Sequence, residues 1–147
     1  MEFGIWLESE ESDNIKTTLA KLPKKHQGLA KGFKVKFQIG NTMKNDNDSI
    51  GEVDFDKKCI TVAAPWHYAR EFTVLHEVGH LVYETLSPKQ KQAWDKMATK
   101  LKKDPDREVQ HQSSEELFCM AYANTYAKHK DVIHDHPEWE AFILKLK

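Results

Sequence analysis

The segment "FKVKFQIG" alternates apolar and polar residues, with Phe33, Val35, Phe37 and Ile39 on one side. That period of two predicts a half-buried strand. A second short strand is expected at residues 3–7, "FGIWL", and "IGEVDFDKKCITVAA" reads as a hairpin turning at Asp56, Lys57 and Lys58. Helical spacing governs most of the rest. Ser12 or Asp13 is expected to cap a helix carrying Ile15, Leu19 and Leu22 on one face, broken by Pro23. "KKHQGLAKG" follows as a short helix closed by Gly32, and "NTMKNDNDS" is a polar loop. Pro65 opens a long apolar helix over roughly 66–86. Ser87-Pro88 then starts a helix with Trp94, Met97, Ala98 and Leu101 at helical spacing. After the loop "DPDREVQHQ", "SSEELFCMAYANTYAKHK" has a strong helical start, and Pro137 begins a closing helix. Helices, a small sheet, then more helices make the class α+β.

Composition narrows the picture without naming a function. A chain of 147 residues is expected to form a single domain, 1–147. Its net charge of −1 provides no electrostatic pull toward nucleic acid or an anionic membrane. The apolar runs are too short to span a bilayer, and "MEFGIWLESEE" lacks the basic start of a secretory signal. A cytoplasmic location is the expectation. The only cysteines, Cys59 and Cys119, lie in apolar patterns and are expected to be buried free thiols.

One stretch changes the picture. "TVLHEVGHLVYE" puts His76 and His80 four residues apart, with Glu77 between them, inside an apolar run. Polar groups buried without partners cost several kcal/mol each, roughly 2–7 for a neutral group. A metal ion would compensate. Positions four apart on a helix lie about 40° apart around the axis and about 6 Å along it, so both imidazoles reach one ion. Glu77, about 100° round, misses the ion but reaches a water bound to it. Zinc lowers the pKa of such a water to about 7, and Glu77 can take its proton and pass it to a leaving amine. This is the H-E-x-x-H arrangement of zinc peptidases. The competing reading is a core helix with two hydrogen-bonded histidines.

The third ligand must come from elsewhere. Glu84 lies about two turns from His76 and points away. Glu115 and Glu116 open the next apolar helix, and burial alone does not choose between them. Ser113-x-x-Glu116 also fits a capping box, a role that would turn Glu116 back on its own helix.

"LHEVGH", followed by "EELFCMAYANTY" with Glu116 thirty-six residues after His80, resembles the anthrax lethal factor-like metallopeptidase domain, a family that includes the clostridial Pro-Pro endopeptidases. "LAKLPKKHQGLAKGFKVKF" resembles its N-terminal helix–Leu-Pro–helix–strand segment, and "HPEWEAFI" its closing helix. The resemblance implies a zincin-like fold of the gluzincin type, with a small sheet packed on the active-site helix and further helices behind. It implies Zn2+ held by His76, His80 and Glu116, with Glu77 as catalytic base and peptide bound along an edge strand. Glu115 would then sit in the first turn, where its charge complements the helix N-terminus. The family has a second glutamate one turn after the ligand, where this chain has Met120. It also has an oxyanion-stabilising tyrosine where this chain has Val109. His111 is the nearest substitute donor, at a different spacing.

The reading is therefore a monomeric zinc endopeptidase acting on peptide or protein, without nucleic acid or membrane partners. Two rivals stay open: a zinc-binding peptide adaptor with little turnover, and a regulatory protease that cleaves a repressor. Other residues invite over-reading. His134 and His136 are expected in an exposed cap and loop. Phe118, Tyr122, Tyr126 and Trp139 are expected in the core, and Cys119 is expected to be a small packing residue. His67 and Tyr68 are candidates to border a cleft.

Overall fold

The computed structural model describes residues 1–3, 9–37, 51–63, 67–103, 112–128 and 136–147. Among them the chain runs β1 (Glu2–Phe3), α1 (Ser9–Ala20), α2 (Lys24–Ala30), β2 (Lys34–Phe37), β3 (Gly51–Asp54), β4 (Cys59–Val62), α3 (His67–Glu84), α4 (Pro88–Lys102), α5 (Ser114–Tyr126) and α6 (Pro137–Leu144). The α+β class holds. α1 begins earlier than the expected cap at Ser12 or Asp13. Of the expected strand at 3–7, only Phe3 falls in β1, and residues 4–7 lie outside the described set.

The strands form one sheet in the order β1-β2-β4-β3. β2 pairs in parallel with both β1 and β4, while β3 and β4 form the antiparallel hairpin. The parallel register sets Val35 beside Ile60 and Phe37 beside Val62. These four are all buried, whereas Lys34 and Lys36 are exposed. The alternation read at Val35 and Phe37 is thus the inner face of the sheet, while Ile39 lies outside the described residues. The hairpin turns at Phe55–Lys58, where the Asp54 carboxylate accepts the Lys57 N–H at 3.0 Å and Lys58 takes a positive φ of 48°. Among the described strands β3 lies at the sheet's edge.

α3 is the central helix. Val74, Leu75, Val78, Leu81 and Val82 are buried, with α3 packed on β3 and β4 and, most extensively, on α5. The α3–α5 approach is close because residue 79 is glycine. A Cβ there would lie 3.0 Å from Cys119 Cα and 3.3 Å from the Cβ atoms of Cys119 and Tyr122. Glu71, which the pattern of the sequence did not single out, is buried and ties three elements together. It accepts the Thr18 hydroxyl of α1 at 3.2 Å and the Lys128 N–H beyond α5 at 2.7 Å.

The remaining helices brace this pair. α4 starts with a full capping box: Gln90 N–H donates to Ser87 Oγ at 3.1 Å, and Ser87 N–H donates to Gln90 Oε1 at 2.9 Å. Trp94 of α4 is fully buried and donates its indole N–H to the Ser114 carbonyl at 2.6 Å, fixing the start of α5. Its ring meets Phe118, Trp139 and Phe142 at 5.2–5.4 Å. Phe118, Tyr122 and Trp139 are core residues as expected, and Tyr126 is partly buried against them. His136 occupies the N-cap position of α6 but makes no side-chain cap; its half-buried ring packs on Trp139, centroids 4.6 Å apart, so the expected exposure is not seen. His134 lies outside the described residues. No helix among them is long and apolar enough to cross a membrane.

Candidate metal centre

His76 and His80 lie one turn apart on α3, on the side that faces the start of α5. Their rings meet edge-on, centroids 5.2 Å apart. Glu116 bridges them: one carboxylate oxygen is 3.0 Å from His76 Nε2 and the other 3.1 Å from His80 Nε2. Glu116 is therefore the acidic residue aimed at both Nε2 atoms.

The capping-box reading of Glu116 is half realised. Ser113 is the N-cap of α5, and its hydroxyl accepts the Glu116 N–H at 3.1 Å. The Glu116 side chain, however, reaches across to the histidines. The cap uses the backbone N–H and the reach to the histidines uses the side chain, so the two do not compete. Trp94 and Ser113 together hold the first turn of α5 in place, and the Glu116 carboxylate follows from that.

Glu115 does more than complement its helix end. Its Oε1 lies 3.2 Å from His80 Nδ1. Glu115 sits in the first turn of α5, as expected, and its side chain reaches His80 as well. α3 and α5 pack so closely at Gly79 that consecutive residues of α5 reach the two nitrogens of one ring. Both ring nitrogens of His80 thus face carboxylates, the arrangement that favours an imidazolium. Burial by itself would depress the His80 pKa. The hydrogen bond to Glu116, the Glu77 charge and the hydrogen bond to Glu115 outweigh burial and raise it to about 9. Glu116 is held well below the usual carboxylate range, first by its hydrogen bond to His76 and then by that to His80.

Glu77 is only 3% exposed. Burial pushes its pKa up, with the charges of His76 and His80 pulling it back. Its carboxylate lies against β3: a Cβ at Gly51 would fall 2.5 Å from Glu77 Oε1 and 2.5 Å from Thr73 Cγ2. Only a glycine lets the edge strand approach the carboxylate this closely. Sequence periodicity carried no signal for Gly51, because the contact joins residues far apart in the chain.

Cys119, read from the sequence as a packing residue, is indeed fully buried. Its thiol also joins the cluster, with donor atoms of His76, His80 and Cys119 all within 4.8 Å of one another. Cys59, expected to be buried, is half-buried on β4; both cysteines are free. Met120, where the resembling family has its second glutamate, is also half-buried. His111 and Val109 lie outside the described residues, as do the side chains of His67 and Tyr68.

The donor set suits a zinc-like ion. Each Nε2 stands 3.0–3.1 Å from its own oxygen of the Glu116 carboxylate. Ligand bonds of about 2.0–2.1 Å in a tetrahedron imply ligand–ligand edges of roughly 3.3 Å. The outward His80 Nδ1 is held by a carboxylate, as the second nitrogen of a metal-bound histidine commonly is. Comparison with family models, with curated proteins and with solved structures finds no match for this chain.

Proposed function

We propose that this protein is a zinc-dependent endopeptidase with a zincin-like arrangement, in which His76, His80 and Glu116 hold the ion and Glu77 is the general base. The observation that carries the reading is the convergence of both Nε2 atoms on Glu116, with a buried carboxylate one residue after the first histidine. A bound Zn2+ would acidify a water and polarise the carbonyl of the scissile bond.

The chain's own residues supply the rest. Glu77 is displaced about 100° around α3 from His76, so it would stand beside a bound ion and not ligate it. Its raised pKa brings it nearer to neutrality, which suits a group that takes a proton from water and returns it to a leaving amine. Glu115 orients His80 through Nδ1 and supplies, from the residue before Glu116, an acidic partner that Met120 cannot. β3 runs along the site at the sheet edge, with Gly51 against Glu77. An extended peptide laid on that edge by backbone hydrogen bonds would bring its carbonyl toward Glu77. The resemblance to the lethal factor-like peptidases supports the same assignment.

Metal content of the purified chain, followed by turnover of a peptide library, tests the proposal. Wild type is expected to carry one zinc and to cleave. Glu77→Ala is expected to keep the zinc and lose about 10²-fold or more in rate, the scale of general acid–base catalysis. Equal cleavage by the variant removes Glu77 from the mechanism. A metal-loaded chain that binds peptides without cutting any would favour the adaptor reading.

A further inference from the structure

Of the donor residues that α5 presents to α3, Glu116 and Cys119 stand three positions apart and hence on the same side of the helix. They meet the site from opposite ends. The Glu116 side chain is 44% exposed, at the solvent mouth. Cys119 is 0% exposed and lies at the floor. The absence of a side chain at Gly79 puts the Cys119 backbone directly across from the turn of α3 that joins His76 to His80. A donor atom of each histidine and the thiol sulfur fall within 4.8 Å of one another. Zinc–sulfur bonds run about 2.3 Å and zinc–nitrogen bonds about 2.0–2.1 Å, so a tetrahedral ion asks its nitrogen and sulfur donors to stand roughly 3.5 Å apart.

We propose that Cys119 is a further metal ligand, so that a thiolate joins the two imidazoles at a bound ion. The proposal rests on the metal-site reading above and adds to it the interior donor. On binding, the S–H bond breaks, the sulfur–metal bond forms and the proton leaves to solvent. A thiolate donor biases the site toward soft ions such as cadmium.

Cobalt(II) replaces zinc and reports its ligands by absorption. The full-length chain carrying Cys59→Ser, which removes the other thiol, is titrated with cobalt(II) chloride. It is compared with the same chain carrying Cys119→Ser or Cys119→Ala in addition. The expected result is visible d–d absorption in all three, with a near-ultraviolet thiolate-to-cobalt charge-transfer band that is lost when Cys119 is replaced. The d–d bands without any charge-transfer band in the parent would leave the metal site standing and overturn Cys119 as a ligand. No cobalt absorption at all would overturn both readings. As a check that does not depend on folding of the Cys119 variants, zinc should protect the thiol of the Cys59→Ser chain from alkylation in mild denaturant. Equal alkylation with and without zinc would count against ligation.

Discussion

α3 and α5 approach each other across a residue with no side chain, Gly79, and replacing it is a sharp test. Gly79→Ala adds one methyl group to α3, pointed at Cys119 Cα from 3.0 Å and at two further Cβ atoms from 3.3 Å. Ordinary contact begins at about 3.4 Å, so α5 must recede by a few tenths of an ångström. The obstacle is backbone, which cannot rotate out of the way. Overpacking of this kind costs about 1–3 kcal/mol. Alanine in place of glycine within a helix returns about 1 kcal/mol through propensity. The net is a destabilisation of roughly 0–2 kcal/mol, or at most about 8 °C in Tm at about 2–4 °C per kcal/mol for a domain of this size. The site should suffer more than the fold. Glu116 and Cys119 ride on α5 while the histidines ride on α3, so the same displacement stretches every contact between them. Zinc affinity should fall about 10–100-fold, the scale seen when the support of a metal site is disturbed. The assay is chelator competition for zinc, alongside thermal melts with and without zinc. Unchanged zinc affinity at a lowered Tm would show that the α3–α5 spacing does not set the site, and a raised Tm would show that the close contact carries no strain.

Other expectations follow from the same geometry. Glu116→Ala should release zinc, and Glu115→Ala should weaken it about 10–100-fold through the freed His80 Nδ1; chelator competition ranks the two, and a neutral Glu115→Ala would remove its orienting role. Gly51→Ala should displace the Glu77 carboxylate and lower turnover while zinc content stays whole, so an active variant would mean that Glu77 has room to spare. In the metal-free chain the folded pKa of His80, about 9, stands above its ordinary 6.5. Its contribution to stability is then complete below pH 6.5 and is lost as pH rises toward 9, because the unfolded chain gives up that proton first. Zinc must displace the same proton, so its affinity should climb across that window, measured as zinc-dependent proton release; a flat profile would mean that His80 is neutral before metal arrives.

How much of this was legible in the chain differs from residue to residue. Local chemistry was. The alternation around Val35 and Phe37 gave a strand with the inner face expected, since side-chain direction in a strand has a period of two. The spacing of His76, Glu77 and His80 placed two imidazoles on one side of a helix and the carboxylate beside them, because helical pitch alone dictates it. Ser87 and Ser113 signalled helix starts through bonds that span three residues. Even the conflict over Glu116, cap or ligand, was visible in advance, and it dissolved only because the backbone N–H and the side chain found separate partners.

What the chain order could not show are contacts between elements distant in sequence. That Glu115 would reach His80 Nδ1, that Gly51 would lie on Glu77, and that the Cys119 thiol would look into the histidine pair all depend on how closely α5 and β3 approach α3. That distance is a property of packed surfaces, set by the missing side chains of Gly79 and Gly51 and by the Trp94 anchor at Ser114. A one-dimensional pattern carries period and propensity, which are local. The separation between two helices, and therefore the identity of the donors that meet between them, is decided by the tertiary fold.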